Sequence, residues 1–256
     1  MLILTLAAVL SGGATVAAAA DACDRTTLQA AADSYIAAQV AGTPLSIADL
    51  SSGVIYTESN KTMNISEGVL SRALKIDHKR TILDTTACAT YTELIATDAE
   101  NPRVIGTQIR LTDGNITSID TLAATTGDWL FNATNTLLYS QVEDAQAVWD
   151  PIPEEMRDSR EVIQAAADAY LDLFFNATVK VPFGSFCSRL EGGTYFMPCN
   201  YGVPENITIS ARRYVVDEVY GTVDVFDMFM TLPDTHEFRI ENGTIQHVHA
   251  ITIGGV

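Results

Sequence analysis

The chain has 256 residues, 32 acidic against 15 basic side chains, a net charge of −17 and 47% apolar residues. Such acidity repels phosphate backbones and anionic membrane surfaces, so neither nucleic acid nor membrane is expected as a partner. The apolar share is enough for a real core. In chain order, residues 1–20 come first: they carry no charge, run apolar from Leu2 to Leu10, and end in Val16-Ala17-Ala18-Ala19-Ala20. That is the pattern of a signal peptide cleaved after Ala20 or nearby. The apolar run is about half the roughly twenty residues a membrane span needs, so the mature chain is expected in the secretory-pathway lumen or outside the cell.

Seven of the ten asparagines head an Asn-X-Ser/Thr sequon: Asn60, Asn64, Asn115, Asn132, Asn176, Asn206 and Asn242. Chance would give roughly two, so N-glycosylation at seven surface positions is expected. The four cysteines, Cys23, Cys88, Cys187 and Cys199, are an even number with no C-x-x-C spacing. In an oxidising compartment this predicts two disulfides rather than a zinc site. The expected pairs are Cys23 with Cys88, tying down the mature N-terminus, and Cys187 with Cys199, closing a short loop.

An internal repeat organises the rest. Leu28-Gln-Ala-Ala-Ala-Asp-Ser-Tyr-Ile36 matches Ile163-Gln-Ala-Ala-Ala-Asp-Ala-Tyr-Leu171, Lys79 to Asp84 matches Arg212 to Asp217, and Ile109 to Ile116 matches Phe238 to Ile245. Three matches in one order mean a duplicated unit of roughly a hundred residues. The expected division is residues 21–148 and 149–256, with Trp149-Asp-Pro-Ile-Pro153 as linker. Each unit should open with an amphipathic helix, the first stopping at Gly42 and the second starting from a capping box of Asp158 and Glu161. Strand-rich runs follow, Thr81 to Ile95, Val104 to Leu111 and Tyr214 to Met230, and each unit closes on a hairpin at Asp113-Gly114 or Asn242-Gly243, the dipeptides of a type I′ turn. The fold class is therefore α+β.

A helix leading into a bent antiparallel sheet that ends in such a hairpin resembles the SnoaL-like, or nuclear-transport-factor-2-like, cone fold. The whole mature chain resembles a mostly uncharacterised fungal family of secreted tandem repeats, through Leu83-Asp-Thr-Thr-Ala-Cys-Ala-Thr-Tyr-Thr-Glu93, Gly127-Asp-Trp-Leu-Phe-Asn-Ala133, Cys187-Ser-Arg-Leu-Glu-Gly-Gly193, Arg213-Tyr-Val-Val-Asp-Glu218 and Pro233-Asp-Thr-His-Glu-Phe-Arg239. Some similar proteins are hetero-Diels-Alder synthases of tropolone sesquiterpenoid pathways. The resemblance thus implies two cone units, each a helix packed on a curved antiparallel sheet, and a cavity for an apolar, conjugated molecule.

Strict alternation across the Asn242-Gly243 turn would put His236, Phe238, Ile240, Ile245, His247 and His249 on one face, with Glu237 and Arg239 on the other. Three of the four histidines would then meet in an apolar cavity. They could be satisfied core residues, general acids or bases, or a three-histidine metal site. The first unit has Thr107, Ser118 and Asp120 at the equivalent positions, so only the second unit can do histidine chemistry. Tyr214 and Arg189 are candidate donors to the cavity, while the repeated Arg80…Asp84 and Arg213…Asp217 read as architecture. No Rossmann, P-loop, hydrolase-elbow or zincin motif occurs.

The expected function is a cofactor-free, metal-free enzyme in which His236, His247 or His249 assists loss of water or ring closure. Phe238, Ile240, Tyr214 and Arg189 would hold the substrate. The alternative is a non-catalytic secreted glycoprotein that binds a small apolar ligand or a host or cell-wall partner. Fused repeats would imitate a homodimer, making the chain a monomer.

Overall fold

The computed structural model describes residues 23–255; the expected signal peptide at 1–20 lies outside them. The first unit runs through helix α1 (Arg25–Ala41) and strands β1 (Leu50–Glu58), β2 (Lys61–Thr62), β3 (His78–Asp84), β4 (Ala89–Ala96), β5 (Arg103–Thr112) and β6 (Asn115–Ala124). Helix α2 (Ala133–Ala145) joins it to the second unit: α3 (Arg160–Leu173), β7 (Phe183–Glu191), β8 (Thr194–Phe196), β9 (Ile209–Asp217), β10 (Thr222–Phe229), β11 (Leu232–Glu241) and β12 (Thr244–Thr252). The two six-stranded sheets have the same order, β2-β1-β6-β5-β4-β3 and β8-β7-β12-β11-β10-β9. The expected duplication is therefore one of topology too. The sheets are not wholly antiparallel, because β1 runs parallel to β6 and β7 parallel to β12.

The opening helices form where the sequence places apolar side chains on one stripe. Leu28, Ala32, Tyr35 and Ile36 in α1, and Ile163, Ala167, Tyr170 and Leu171 in α3, follow i, i+4, i+7, i+8 and are buried. Asp24 caps α1 by accepting from the Thr27 amide, and Gly42 ends it at φ 66°, which the missing Cβ allows. The cap of α3 is Ser159 rather than Asp158, whose carboxylate instead accepts from the Gly243 amide at 2.8 Å. Both hairpin dipeptides have positive φ at each residue, as a type I′ turn needs. Both expected disulfides are present, Cys23–Cys88 and Cys187–Cys199. All seven sequon asparagines are exposed. No helix among the described residues is long and apolar enough to cross a membrane.

Helices α1 and α3 each cover one face of their own sheet, α2 contacts strands of both sheets, and the opposite faces of the two sheets meet. Ile82, Tyr91 and Leu122 of the first unit pack there against Val215 and Phe226 of the second. Two reciprocal ion pairs tie this interface: Arg25 to Asp217 and Arg160 to Asp84, each bidentate at 2.7–2.9 Å. Asp217 also accepts from the Leu83 amide and Asp84 from the Val216 amide, both at 2.8 Å. The exchange of equivalent partners is that of a two-fold dimer interface, held here within one chain. Arg80 and Arg213 do not pair with Asp84 and Asp217; they reach Glu237 and Asp120.

Candidate functional site

The second unit contains a cavity of about 230 Å³, bounded by Trp129, Tyr170, Phe174, Phe196, Phe229 and a polar floor of Asp234 and His236. Strand alternation builds the floor. Asp234 and His236 are two apart on β11, and Asp227 of β10 lies directly across from Asp234, so all three share the face turned toward α3. His236 Nδ1 lies 3.2 Å from Asp227 and 3.4 Å from Asp234, with all three residues buried. Asp234 also accepts from the Thr252 hydroxyl at 2.9 Å, whereas Asp227 Oδ1 is buried without a partner. Among the described residues no hydrogen bond takes His236 Nε2, and the ring lines the cavity.

Burial alone would push the His236 pKa down, but the carboxylates of Asp234 and Asp227 outweigh it and hold it up at about 9. Burial pushes the Asp234 carboxyl well above the usual carboxylate range. The imidazole ring lies 6.0 Å from Phe238, nearly parallel to it, and 5.9 Å from Tyr170.

The first unit shows the same positions without the chemistry. In matching registers, Leu94 stands for Asp227, Ile105 for Asp234 and Thr107 for His236. Ile65, Val69, Leu70 and Leu74, from the segment after β2, join Leu94 and Ile105 in its core. The corresponding segment after β8 instead lines the second unit's cavity with Gly202 and Pro204, and is held there by the Cys187–Cys199 bridge and by Arg189, whose guanidinium donates to the Cys199 and Tyr201 carbonyls at 2.7 and 2.9 Å.

The three histidines are not brought together. A bulge in β12 places Ile240 opposite Ile245 but Arg239 opposite His247, so His236 faces Ala250 and Phe238 faces Val248. Ile245 and Val248 are both fully buried, and an odd spacing of three fits one face only if a residue is looped out. Gln246 is that residue, and it turns His247 and His249 toward the first unit.

There they meet a second polar cluster. His249 Nε2 lies 2.7 Å from Glu143 of α2, Arg80 pairs with Glu237 at 2.6 Å and Glu93 at 3.2 Å, and Trp149 covers the Arg80 guanidinium at 3.9 Å. Trp149 also donates to Glu143 at 2.9 Å, so the expected linker residue is part of the core. Burial works against the charged imidazole, but Glu143 and Glu93 dominate and hold His249 at about 10. Arg80 and His249, against the opposing effect of burial, bring Glu93 down to about 2. His247 takes the Ser188 hydroxyl at 2.8 Å. This network cements the interface; the cavity beside Glu93 and His249 has a volume of only about 10 Å³.

Two trios, Asp227–Asp234–His236 and Glu93–Glu237–His249, have donor atoms close enough for a metal ion. In the second, Arg80 occupies the centre, and in the first the imidazole itself bridges the carboxylates.

Of the other expected substrate contacts, Arg189 lines the cavity but is committed to its own loop. Phe238 and Ile240 are fully buried in the core, and Tyr214 donates to Asp168 at 2.7 Å, away from the cavity. Sequence reasoning missed Asp227, Asp234, Trp129 and Glu143. The alternation Asp234-Thr-His236 was available as a signal, since it puts a carboxylate on the histidine's own face.

Residues 156–252, which span α3 and β7 to β12, match a family described as a domain of unknown function, DUF8021. No curated protein sequence matches the chain.

Proposed function

We propose that the second unit is a SnoaL-like, cofactor-free enzyme acting on a small apolar, conjugated molecule, with His236 as general acid. One observation carries the reading: a cavity whose imidazole is held by two buried carboxylates at Nδ1 and is free at Nε2, while the duplicate unit has Leu94, Ile105 and Thr107 instead. Asp227 accepts from Nδ1–H and fixes the ring's orientation, as the orienting carboxylate does in acid–base dyads, so that Nε2–H faces the cavity. Nε2–H then protonates a substrate hydroxyl, whose C–O bond breaks with its electron pair leaving on water and the positive charge spread over the conjugated substrate, or it donates to a carbonyl oxygen and polarises it for ring closure. A hetero-Diels-Alder closure fits this role, because positioning and one hydrogen bond are all it asks of the protein. Two disulfides and seven exposed sequons support secretion as a glycoprotein.

The test starts with native mass spectrometry of the protein secreted by a fungal host, before and after mild organic extraction, to obtain the ligand. Turnover of that compound is then followed for the natural chain, His236→Gln and Asp227→Asn. Rate should fall at least about a hundredfold in His236→Gln. The alkaline limb near pH 9 should move down in Asp227→Asn. Full activity of His236→Gln would sink the acid role; a released ligand that is never converted would favour a binding protein.

A further inference from the structure

The cavity belongs to the second unit, yet part of its wall comes from the stretch that leaves the first. Trp129 and Leu130 lie in the loop between β6 and α2, and both line the cavity. Four contacts hold this loop against the second unit. The Trp129 indole N–H donates to Glu191 at 2.6 Å, and its ring meets Phe229 edge to face at 5.7 Å. Asp128 accepts from the Gly254 amide at 2.7 Å, and the Asn132 amide donates to the Gly192 carbonyl. Gly192 and Gly193 permit the approach: each has positive φ, and a Cβ on either would collide with the backbone of Trp129 or Asn132. The loop is thus seated as a fixed panel, and the indole is the largest side chain it adds.

We propose that Trp129 is the specificity-determining residue of the cavity, setting an upper size limit of about two fused rings on the ligand. This rests on the reading of the cavity as the binding site. At about 230 Å³ the space lies below the roughly 300–1,000 Å³ of sites for drug-sized ligands. On this proposal a flat two-ring molecule with one hydroxyl lies between the aromatic walls beside His236, and a four-ring one is excluded while the indole stays in place. The tandem arrangement then has a chemical purpose, since a second unit without the first lacks this wall.

The probes are 2-naphthol and 1-hydroxypyrene, measured by equilibrium dialysis on the full secreted glycoprotein. The natural chain should bind the naphthol and exclude the pyrene. Trp129→Ala should bind the naphthol about tenfold more weakly, through the lost aromatic contact, and should now admit the pyrene. Trp129→Phe, a milder change that keeps a ring, should admit the pyrene more weakly. It decides the matter if the alanine variant does not fold. Unaltered selectivity in a folded variant overturns the role of Trp129 alone. Failure of the natural chain to bind either probe overturns the cavity as a binding site as well.

Discussion

Asp217→Asn removes one charge from the interface while leaving the side-chain volume unchanged. The carboxylate is fully buried and accepts four hydrogen bonds: two from Arg25 at 2.7 and 2.9 Å, one from the Leu83 amide at 2.8 Å and one from the Val219 amide at 3.1 Å. An amide has one acceptor oxygen and turns an N–H toward groups that are themselves donors. Breaking a buried pair from one side costs about 3–5 kcal/mol. The Arg25 side chain is 36% exposed and recovers hydration, so the lower end, about 3 kcal/mol, is expected. In a chain of this size that lowers Tm by about 6–12 °C. Urea unfolding followed by tryptophan fluorescence, with disulfides intact, gives the free energy. Asp84→Asn should lose slightly more, because its partner Arg160 is 23% exposed. Adding Arg25→Leu to Asp217→Asn should restore part of the loss, since the orphaned cation is gone. A loss under about 1 kcal/mol in either single variant would refute the view that these pairs hold the units together.

Stability should depend on pH in a defined direction. His236 at about 9 and His249 at about 10 both lie above the ordinary 6.5, so their stabilisation is complete below pH 6.5 and is lost as pH rises through 9 and 10. Tm should be flat near pH 6 and fall between pH 8 and 10.5; a flat alkaline side would contradict the charged imidazoles. Glu143→Gln should shrink that alkaline fall, because the carboxylate holding His249 is gone, and should itself cost about 3–5 kcal/mol in chemical unfolding at pH 7. Replacing Cys187 and Cys199 by serine opens a loop of 12 residues' separation and should cost about 3 kcal/mol. It should also weaken 2-naphthol binding, as the segment after β8 loses its staple.

The duplication, both disulfides, the Gly42 stop and the hairpin turns could be read in the sequence because each rests on local chemistry: a repeated string, an even cysteine count, a residue able to take positive φ. The histidine face could not be read by simple alternation. The rule of two breaks wherever a bulge absorbs a residue, and both units carry the same sign of it, Ile116-Thr-Ser-Ile119 and Ile245-Gln-His-Val248, two buried residues three apart. Reading that spacing would have separated His236 from His247 and His249. Helix α2 escaped notice because its buried positions, Ala133, Thr136, Ser140 and Glu143, include three polar residues, and its partners are spread along the chain, in β4, β5 and β8 and at His249 of β12. The size of the cavity had no sequence signal, since it depends on which way one loop leans.

A homodimer must accept each substitution twice, once in each copy; joining the two units in one chain lifts that constraint. The halves here have already used the freedom: one side of the shared interface carries Glu143, Trp149 and His249 around Arg80, while on the other Arg213 meets Asp120 with 41% of its side chain open to water. One half could fill its interior and serve as ballast, free of any duty to a ligand, while the other kept its carboxylates and imidazole. Selection on the reaction and selection on stability can then act on separate stretches of the same polypeptide.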